Sequence, residues 1–260
     1  MSTVEVVSGR VRSIADGVGS FFVLCRETGR GLAVRPFQWH EFFDQGWFLV
    51  RVALFPTLMV ALPFTVLVIF TLNILLVEFG AADLSGAGAG LGAVTQVGPL
   101  VTVLIVAGAG ATAICADLGS RTVREEIDAM RVLGIDPIYR LVVPRVLAST
   151  LVALLLNGLV IIIALIGGFL FSVYAQNVTP GAYVSSLTLV TGLPEVLISE
   201  IKAALFGMIA ALVASFMGLN VKGGPKGVGN AVNETVVYAF VALFAVNVVV
   251  TAVGVKATLG

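Results

Sequence analysis

Five stretches of this chain, residues 52–77, 84–116, 146–194, 203–221 and 235–255, contain no Asp, Glu, Lys or Arg. About 20 predominantly apolar residues in a helix cross the ~30 Å hydrocarbon layer of a bilayer. Each stretch is therefore long enough for at least one crossing. The remaining composition leaves no soluble alternative. Only 12% of the residues are charged and 58% are hydrophobic, against about 25% and roughly 45–50% in soluble domains, and the mean hydropathy is +1.07. The fold class expected is an all-α integral membrane protein.

Spans are expected near 50–77, 95–117, 143–173, 198–219 and 235–256. The interval 146–194 could hold two crossings, but its second half carries Gln176-Asn177, Thr179-Pro180-Gly181, Ser185, Ser186 and Gly192-Leu193-Pro194. That stretch suits a short surface helix or loop. Basic residues test the count. Arg10, Arg12, Arg26, Arg30, Arg35 and Arg51 precede the first span, and loop 78–94 has none. Arg121, Arg124, Arg131, Arg140 and Arg145 follow the second span, loop 174–197 has none, and Lys222 and Lys226 follow the fourth. This alternation matches the positive-inside rule for five spans, with the N-terminus cytoplasmic and the C-terminus outside. A sixth crossing would put the two lysines on the wrong face.

Residues 1–46 are expected to form a cytoplasmic N-terminus with an interfacial helix, and 47–260 the five-span domain. The start lacks the long apolar core of a signal peptide. Ile14, Val18, Phe21, Phe22 and Cys25 recur at helical spacing, with Arg12, Asp16, Arg26 and Glu27 on other faces. Pro36 then opens a segment with Phe37, Trp39, Phe42, Phe43, Trp47 and Phe48. Both tryptophans lie here, as suits a water–lipid boundary. The helix either lies in that boundary or staples onto the protein's own bundle. Cys25 and Cys115 are too few for a disulfide scaffold or a structural zinc site, and His40 is the single histidine.

The loop between the second and third spans holds a separate amphipathic helix over 122–134. Thr122 followed by Glu125 reads as a capping box, and Glu125, Glu126 and Asp128 suit the positive end of a helix dipole. Gly134 suits a left-handed terminator, and Pro137 blocks resumption. The expected helix has about eleven residues and is roughly 16 Å long. Val123, Ile127, Met130 and Gly134 share one face; Arg124, Asp128 and Arg131 share another. A solvated loop helix and a contact helix between two proteins both fit this pattern.

The run Arg124-Glu125-Glu126-Ile127-Asp128-Ala129-Met130, with Leu133-Gly134-Ile135-Asp136-Pro137 and Val143-Pro144-Arg145, resembles the signature of the MlaE/YrbE permeases. Lys202-Ala-Ala-Leu-Phe206-Gly207 and Gly223-Gly224-Pro225-Lys226-Gly227-Val228-Gly229 extend the likeness along most of the chain. Phe37-Gln38-Trp39 and Ala113 to Gly119 are similar to the actinobacterial A-type YrbE branch. The chain departs from the family at Asn233-Glu234-Thr235, where an acid stands at the start of the last span. The resemblance implies a non-catalytic half of an ATP-driven lipid transporter in the bacterial inner membrane. Residues 122–134 would then be the coupling helix that rests on a cytoplasmic ATPase dimer, with Arg121, Arg124, Glu125, Glu126, Asp128, Met130, Arg131, Gly134, Asp136 and Pro137 as its contact set. It further implies pairing with a second permease subunit, of B-type, and MCE-domain proteins on the outer side that exchange membrane lipids with the core. No nucleic acid is expected among the partners. ATP and magnesium would sit on the ATPase, and no cofactor is expected on this chain.

The glycine-rich run 223–229 contains no GxxxxGK[ST] phosphate loop and reads as a tight turn. Gly86, Gly88, Gly90, Gly92, Gly108 and Gly110, with Thr112, suit close helix packing. Asn73, Gln96, Lys202 and Asn247 are the candidate lipid-path residues. Lys202 stands with Glu200 near the outer end of span four, where charges are functional hypotheses by default, although a lysine there can snorkel to water. The other in-span groups are isolated hydroxyls and amides such as Thr65, Thr102 and Thr251, which favour an amphiphile over a hydrophilic solute. Two alternatives remain. A permease of another ABC importer family would carry a small solute. An intramembrane enzyme would need a nucleophile or metal constellation, and no in-span His, HExxH or GxSxG motif occurs.

Overall fold

The computed structural model describes residues 3–32 and 37–259, without the side chains of 3–16, 190, 255 and 257–259, so the expectations placed on Arg10, Arg12, Ile14, Asp16, Arg35 and Pro36 lie outside the described residues. The described chain is helical throughout: α1 (Thr3–Gly31), α2 (Trp39–Glu78), α3 (Ala82–Val123), α4 (Glu126–Val132), α5 (Ile138–Ala175), α6 (Pro180–Val190), α7 (Leu193–Leu219) and α8 (Gly224–Leu259). Five of them, α2, α3, α5, α7 and α8, are long and apolar enough to cross a membrane. Lipid offers backbone groups no hydrogen-bond partner, so a spanning segment must satisfy them internally. That requirement overrides the β-preference of runs such as Val248-Val249-Val250 in α8.

Every spanning helix is longer than the span expected from the sequence. The first begins at Trp39, the second at Ala82, the third at Ile138, the fourth at Leu193 and the fifth at Gly224. Positive-φ residues stand at several helix breaks: Gly80 (72°), Glu125 (61°), Gly134 (74°), Asn177 (57°), Gly223 (85°) and Gly224 (70°). Of the turn expected over 223–229 only Gly223 lies outside a helix: α8 starts at Gly224, so Gly227 and Gly229 are already helical. Proline does not break α2 either. Pro56 and Pro63 lie inside it, and a wide π-turn at Val66–Phe70 follows the second.

The spans alternate direction. α2 packs chiefly along α5, and α7 along α5, α3 and α8. α3 is the enclosed element, with 61% of its apolar centre buried; the figure for α8 is 11%. Small residues permit the tightest approach, as the glycine pattern predicts. A Cβ on Gly207 would stand 2.8 Å from the Ala153 Cβ across the α7–α5 seam, and one on Gly92 would stand 2.7 Å from Ile69 Cδ1. Gly86 and Gly90 face α6 at Tyr183, Ser186 and Thr191. Gly108 and Gly110 differ: a Cβ on Gly108 would meet nothing within 4 Å, and one on Gly110 only Ile105 O of its own helix at 3.9 Å.

α6 is the short, non-spanning helix expected between the third and fourth spans. It packs on the glycine-rich start of α3. Thr179 caps it by accepting from the Ala182 amide at 3.3 Å. α1 packs on the bundle along one flank, as the stapling alternative expects. Leu24 and Thr28 are buried, and Phe21 meets Phe216 of α7 edge-to-face at 5.6 Å. Val18 and Phe22 stay 52% and 67% exposed on the other flank. Trp39, Phe43 and Trp47 are exposed at the start of α2, as boundary aromatics should be.

Candidate functional site

The last turns of α3 and α7 and the first turns of α5 meet α1, the start of α8 and the short α4. A groove of about 560 Å³ opens there, lined by residues of α1 (Leu24, Glu27), the α4–α5 link (Gly134 to Ile138) and the end of α7 (Phe216, Asn220). α4 is anchored to this end by Ile127, which is 2% exposed, and by half-buried Met130. Its C-terminus closes as the sequence predicts. Gly134 takes the left-handed conformation, its amide donates to Arg131 O at 3.0 Å, and the Ile135 amide donates to Met130 O at 2.9 Å. This is the Schellman arrangement, which satisfies two otherwise orphaned carbonyls.

The N-terminal half differs from the expectation. The helix covers Glu126–Val132, seven residues or about 10 Å, because α3 continues to Val123 and takes Thr122 with it. No capping box forms. The Thr122 hydroxyl donates back to Leu118 O at 2.9 Å and across to Gly218 O of α7 at 3.0 Å. Glu125 is the left-handed break between α3 and α4 and caps nothing with its side chain. A Thr–x–x–Glu pattern is ambiguous when the preceding residues are themselves helical, since threonine can equally bond backward by one turn.

The predicted contact residues largely face outward. Arg124, Glu125, Asp128, Arg131, Gly134 and Asp136 are exposed; Arg121, Glu126 and Met130 are half-buried; Pro137 is buried. Arg124 Nε pairs with Glu126 Oε1 at 2.8 Å, and Arg131 Nη1 with Asp128 Oδ1 at 2.9 Å. Exposed pairs of this kind add little stability. Asp136 accepts from the Ile138 amide at 2.9 Å and so starts α5; Pro137 sits at that start and does not block it. Val132 and Leu133 are 87% and 74% exposed. They form an apolar tip next to the Arg131–Asp128 pair, and nothing among the described residues covers it.

The lipid-path candidates fall into two groups. Lys202 is only 3% exposed and lines a small cavity of about 90 Å³ with Thr95, Glu195, Ser199 and Thr251. The structure therefore corrects the expectation that it reaches water, since α3 and α8 close over it. Gln96 and Asn247 flank this place on α3 and α8, the first exposed and the second half-buried with its Oδ1 unpartnered among the described residues. Asn73 is separate. It is fully buried and donates to Ser172 of α5 at 2.8 Å. Glu234 is exposed beside Tyr238 in a groove of about 510 Å³ that α1, α7 and α8 share. Among the described residues no group of three His, Cys, Asp or Glu side chains could hold a metal.

Two polar clusters escaped the sequence reading. Asn157 of α5 donates to Ser199 Oγ and Glu200 Oε1, both at 3.0 Å, and its Oδ1 lies 3.4 Å from the Thr102 hydroxyl of α3. Arg145 of α5 is 0% exposed and bonds to Asp117 of α3, with Nε donating to Gln45 Oε1 of α2 at 3.0 Å. The signal for the second was present. Asp117 and Arg145 bound consecutive charge-free stretches on the same side with opposite signs, and such a pair can meet without either charge entering the hydrocarbon centre.

Comparison with known proteins agrees with this architecture. The family model described as Permease MlaE matches residues 42–253. A probable ABC transporter permease of Synechocystis sp. is 32% identical over 181 residues, 69% of each chain. One of Rickettsia typhi is 35% identical over 158 residues, 60% of each. The intermembrane phospholipid transport system permease protein MlaE of Haemophilus influenzae is 28% identical over 181 residues, again 69% of each. The five spans, the separately closed α4 and the matched length all agree: this chain belongs to the MlaE permease family.

Proposed function

We propose that this chain is the membrane-spanning permease subunit of an ATP-driven transporter that moves lipids between the inner membrane and MCE-domain proteins outside it. α4 docks on a cytoplasmic ATPase subunit that holds ATP and magnesium. A second permease subunit, of B-type beside this A-type chain, completes the core, with α2, α3 and α8 near its axis. The N-terminus lies in the cytoplasm and the C-terminus outside, following the distribution of arginines. The observation that carries the reading is α4 itself, a helix closed at its end and anchored by Ile127, whose apolar tip at Val132 and Leu133 is left bare by the described residues. Family membership and the phospholipid-transport name of the Haemophilus relative support the cargo. The span interiors support it too. Apart from Arg145 with Asp117 and from Glu200 and Lys202, their polar groups are hydroxyls and amides mostly bonded to one another or to backbone, which leaves apolar surface for acyl chains.

Purification of the assembled complex tests the assignment. The ATPase should co-purify, and ATP should drive transfer of labelled fatty acid, phospholipid or sterol. Movement of a hydrophilic solute alone, with lipid unaffected by loss of this chain, would refute it. Glu125→Lys/Glu126→Lys tests α4 separately: like charges in a partly desolvated contact should weaken ATPase association and stop transport, while normal association and transport in this variant would refute the coupling role.

A further inference from the structure

Arg145 is the most enclosed charge in the described chain, and its surroundings are specific. It lies in the first turns of α5, with no exposed area. Nη2 bonds Asp117 of α3 and stands 3.9 Å from Glu41 Oε1 of α2. Nε donates to Gln45, which in turn donates to Glu41 at 2.8 Å. Asp117 also accepts from Arg121, one turn further along α3, with the closest approach 3.4 Å. The carboxylate is thus shared by Arg121, at the entry to α4, and Arg145, beyond its exit.

Stability alone is a poor reason for this arrangement. Burying a guanidinium is costly, and an apolar group of the same volume often serves packing as well or better. The network is also incomplete: Arg145 Nη1 is buried without a partner among the described residues. The topology indicates the function. α4 touches the bundle through little more than Ile127 and Met130, whereas the helices on either side of it are tied together by Asp117 and Arg145, and to α2 by Gln45.

We propose that Arg145 is a positioning residue that carries displacement of α4 into α2, α3 and α5 as one body. The inference rests on the coupling role assigned to α4. A force on α4 acts on the ends of α3 and α5. Without the tie those ends can yield separately; with it they move together and take α2 along. Arginine suits this place because its planar fork presents Nε to Gln45 and Nη2 to Asp117 in one fixed geometry, whereas the ammonium of lysine is a point charge on a flexible stem.

The test uses the complete transporter in phospholipid vesicles and reads three quantities: ATPase association, ATP hydrolysis, and lipid transferred per ATP hydrolysed. Gln45→Leu, Asp117→Asn and Arg145→Lys should each keep ATPase association. Each should lower transfer per ATP by roughly tenfold, the size of a typical coupling between sites. The triple variant Gln45→Leu/Asp117→Leu/Arg145→Met replaces the cluster with apolar side chains and guards against simple unfolding. It should insert, melt no lower than the parent and bind the ATPase, yet hydrolyse ATP with the same loss of transfer. Unchanged transfer per ATP in a folded variant overturns the proposal, as does loss of ATPase association. The Glu125→Lys/Glu126→Lys complex measured alongside separates the two readings. Its failure to uncouple would remove the role of α4, whatever the Arg145 variants do.

Discussion

Asn157 Nδ2 lies 3.0 Å from Ser199 Oγ and ties the middle of α5 to the start of α7. The same amide reaches Glu200 on α7, and its oxygen faces Thr102 on α3. One fully buried side chain therefore fixes the relation of three spans. Asn157→Ala should lower the stability of the detergent-solubilised protein by about 1 kcal/mol, since interhelical hydrogen bonds in membranes average ~0.6 and reach ~1.7 kcal/mol. Thermal unfolding measures this; an unchanged midpoint would show the cluster to be energetically idle.

Gly207 marks the closest backbone approach of α7 to α5. A Cβ there would stand 2.5 Å from Ser149 O and 2.8 Å from Thr150 Cα. Neither atom is the end of a flexible side chain, so one helix must move. Gly207→Ala should cost at least the ~1–3 kcal/mol typical of overpacking, whereas Gly108→Ala, with nothing within 4 Å, should be silent. Equal effects in the two variants would mean that the α5–α7 seam relaxes freely.

The same contrast explains what the sequence made legible. Charge-free stretches and the alternation of arginines reveal five spans because lipid solvation acts on each residue separately. The end of α4 was equally legible, since Gly134 and its left-handed turn form a local rule. The beginning of α4 was not. Thr122 and Glu125 satisfy a capping pattern, but α3 runs through Thr122, and only the Gly218 carbonyl across the bundle completes the bond of its hydroxyl. Lys202 and Arg145 were misjudged or missed for a related reason: whether a long cation reaches water depends on which neighbouring helix closes over it, and pairings of that range carry no periodicity.

Gly134 and Glu125 bracket α4 with left-handed backbone, one at no steric cost and one with it. A Cβ on Gly134 meets nothing within 4 Å, so Gly134→Ala probes conformation alone. At about 1–2 kcal/mol for an L-residue there, hydrogen exchange of the α4 amides should accelerate roughly tenfold. Glu125→Asn should slow it, because asparagine tolerates the left-handed region better. Exchange insensitive to both changes would mean that α4 is held by Ile127 and not by its ends.

Tyr183 in α6, which does not span the membrane, donates its hydroxyl to Leu165 O of α5 at 3.1 Å and packs edge-to-face on Phe169. Burial pushes its phenol from an ordinary value of 10.0 up to about 12. The neutral form is favoured in the folded state, so the unfolded chain ionises first as pH rises. The contribution of Tyr183 to stability should be intact below about pH 10 and be lost between 10 and about 12. Tyr183→Phe should remove that alkaline loss. Phenolate absorbance during titration checks it, and a tyrosine ionising normally at this position would contradict the buried placement of α6.

Leu133 is 74% exposed beside Val132 at 87%, and neither contributes to the packed bundle. Surface substitutions away from structural features change stability by less than about 0.5 kcal/mol, so Leu133→Asp should leave insertion and thermal unfolding unchanged. At an interface the same residue is judged differently. An apolar tip seated in a partner's pocket and surrounded by charges has the character of a hot spot, where truncation costs about 2 kcal/mol or more. Placing a carboxylate there also strands a charge in the contact. The expected outcome is a folded permease whose association with the ATPase falls at least roughly thirtyfold, with lipid transfer lost in parallel. Co-purification and transfer assays decide it: a Leu133→Asp complex that assembles and transports normally would mean that the bare tip of α4 faces water and that the ATPase grips this chain elsewhere.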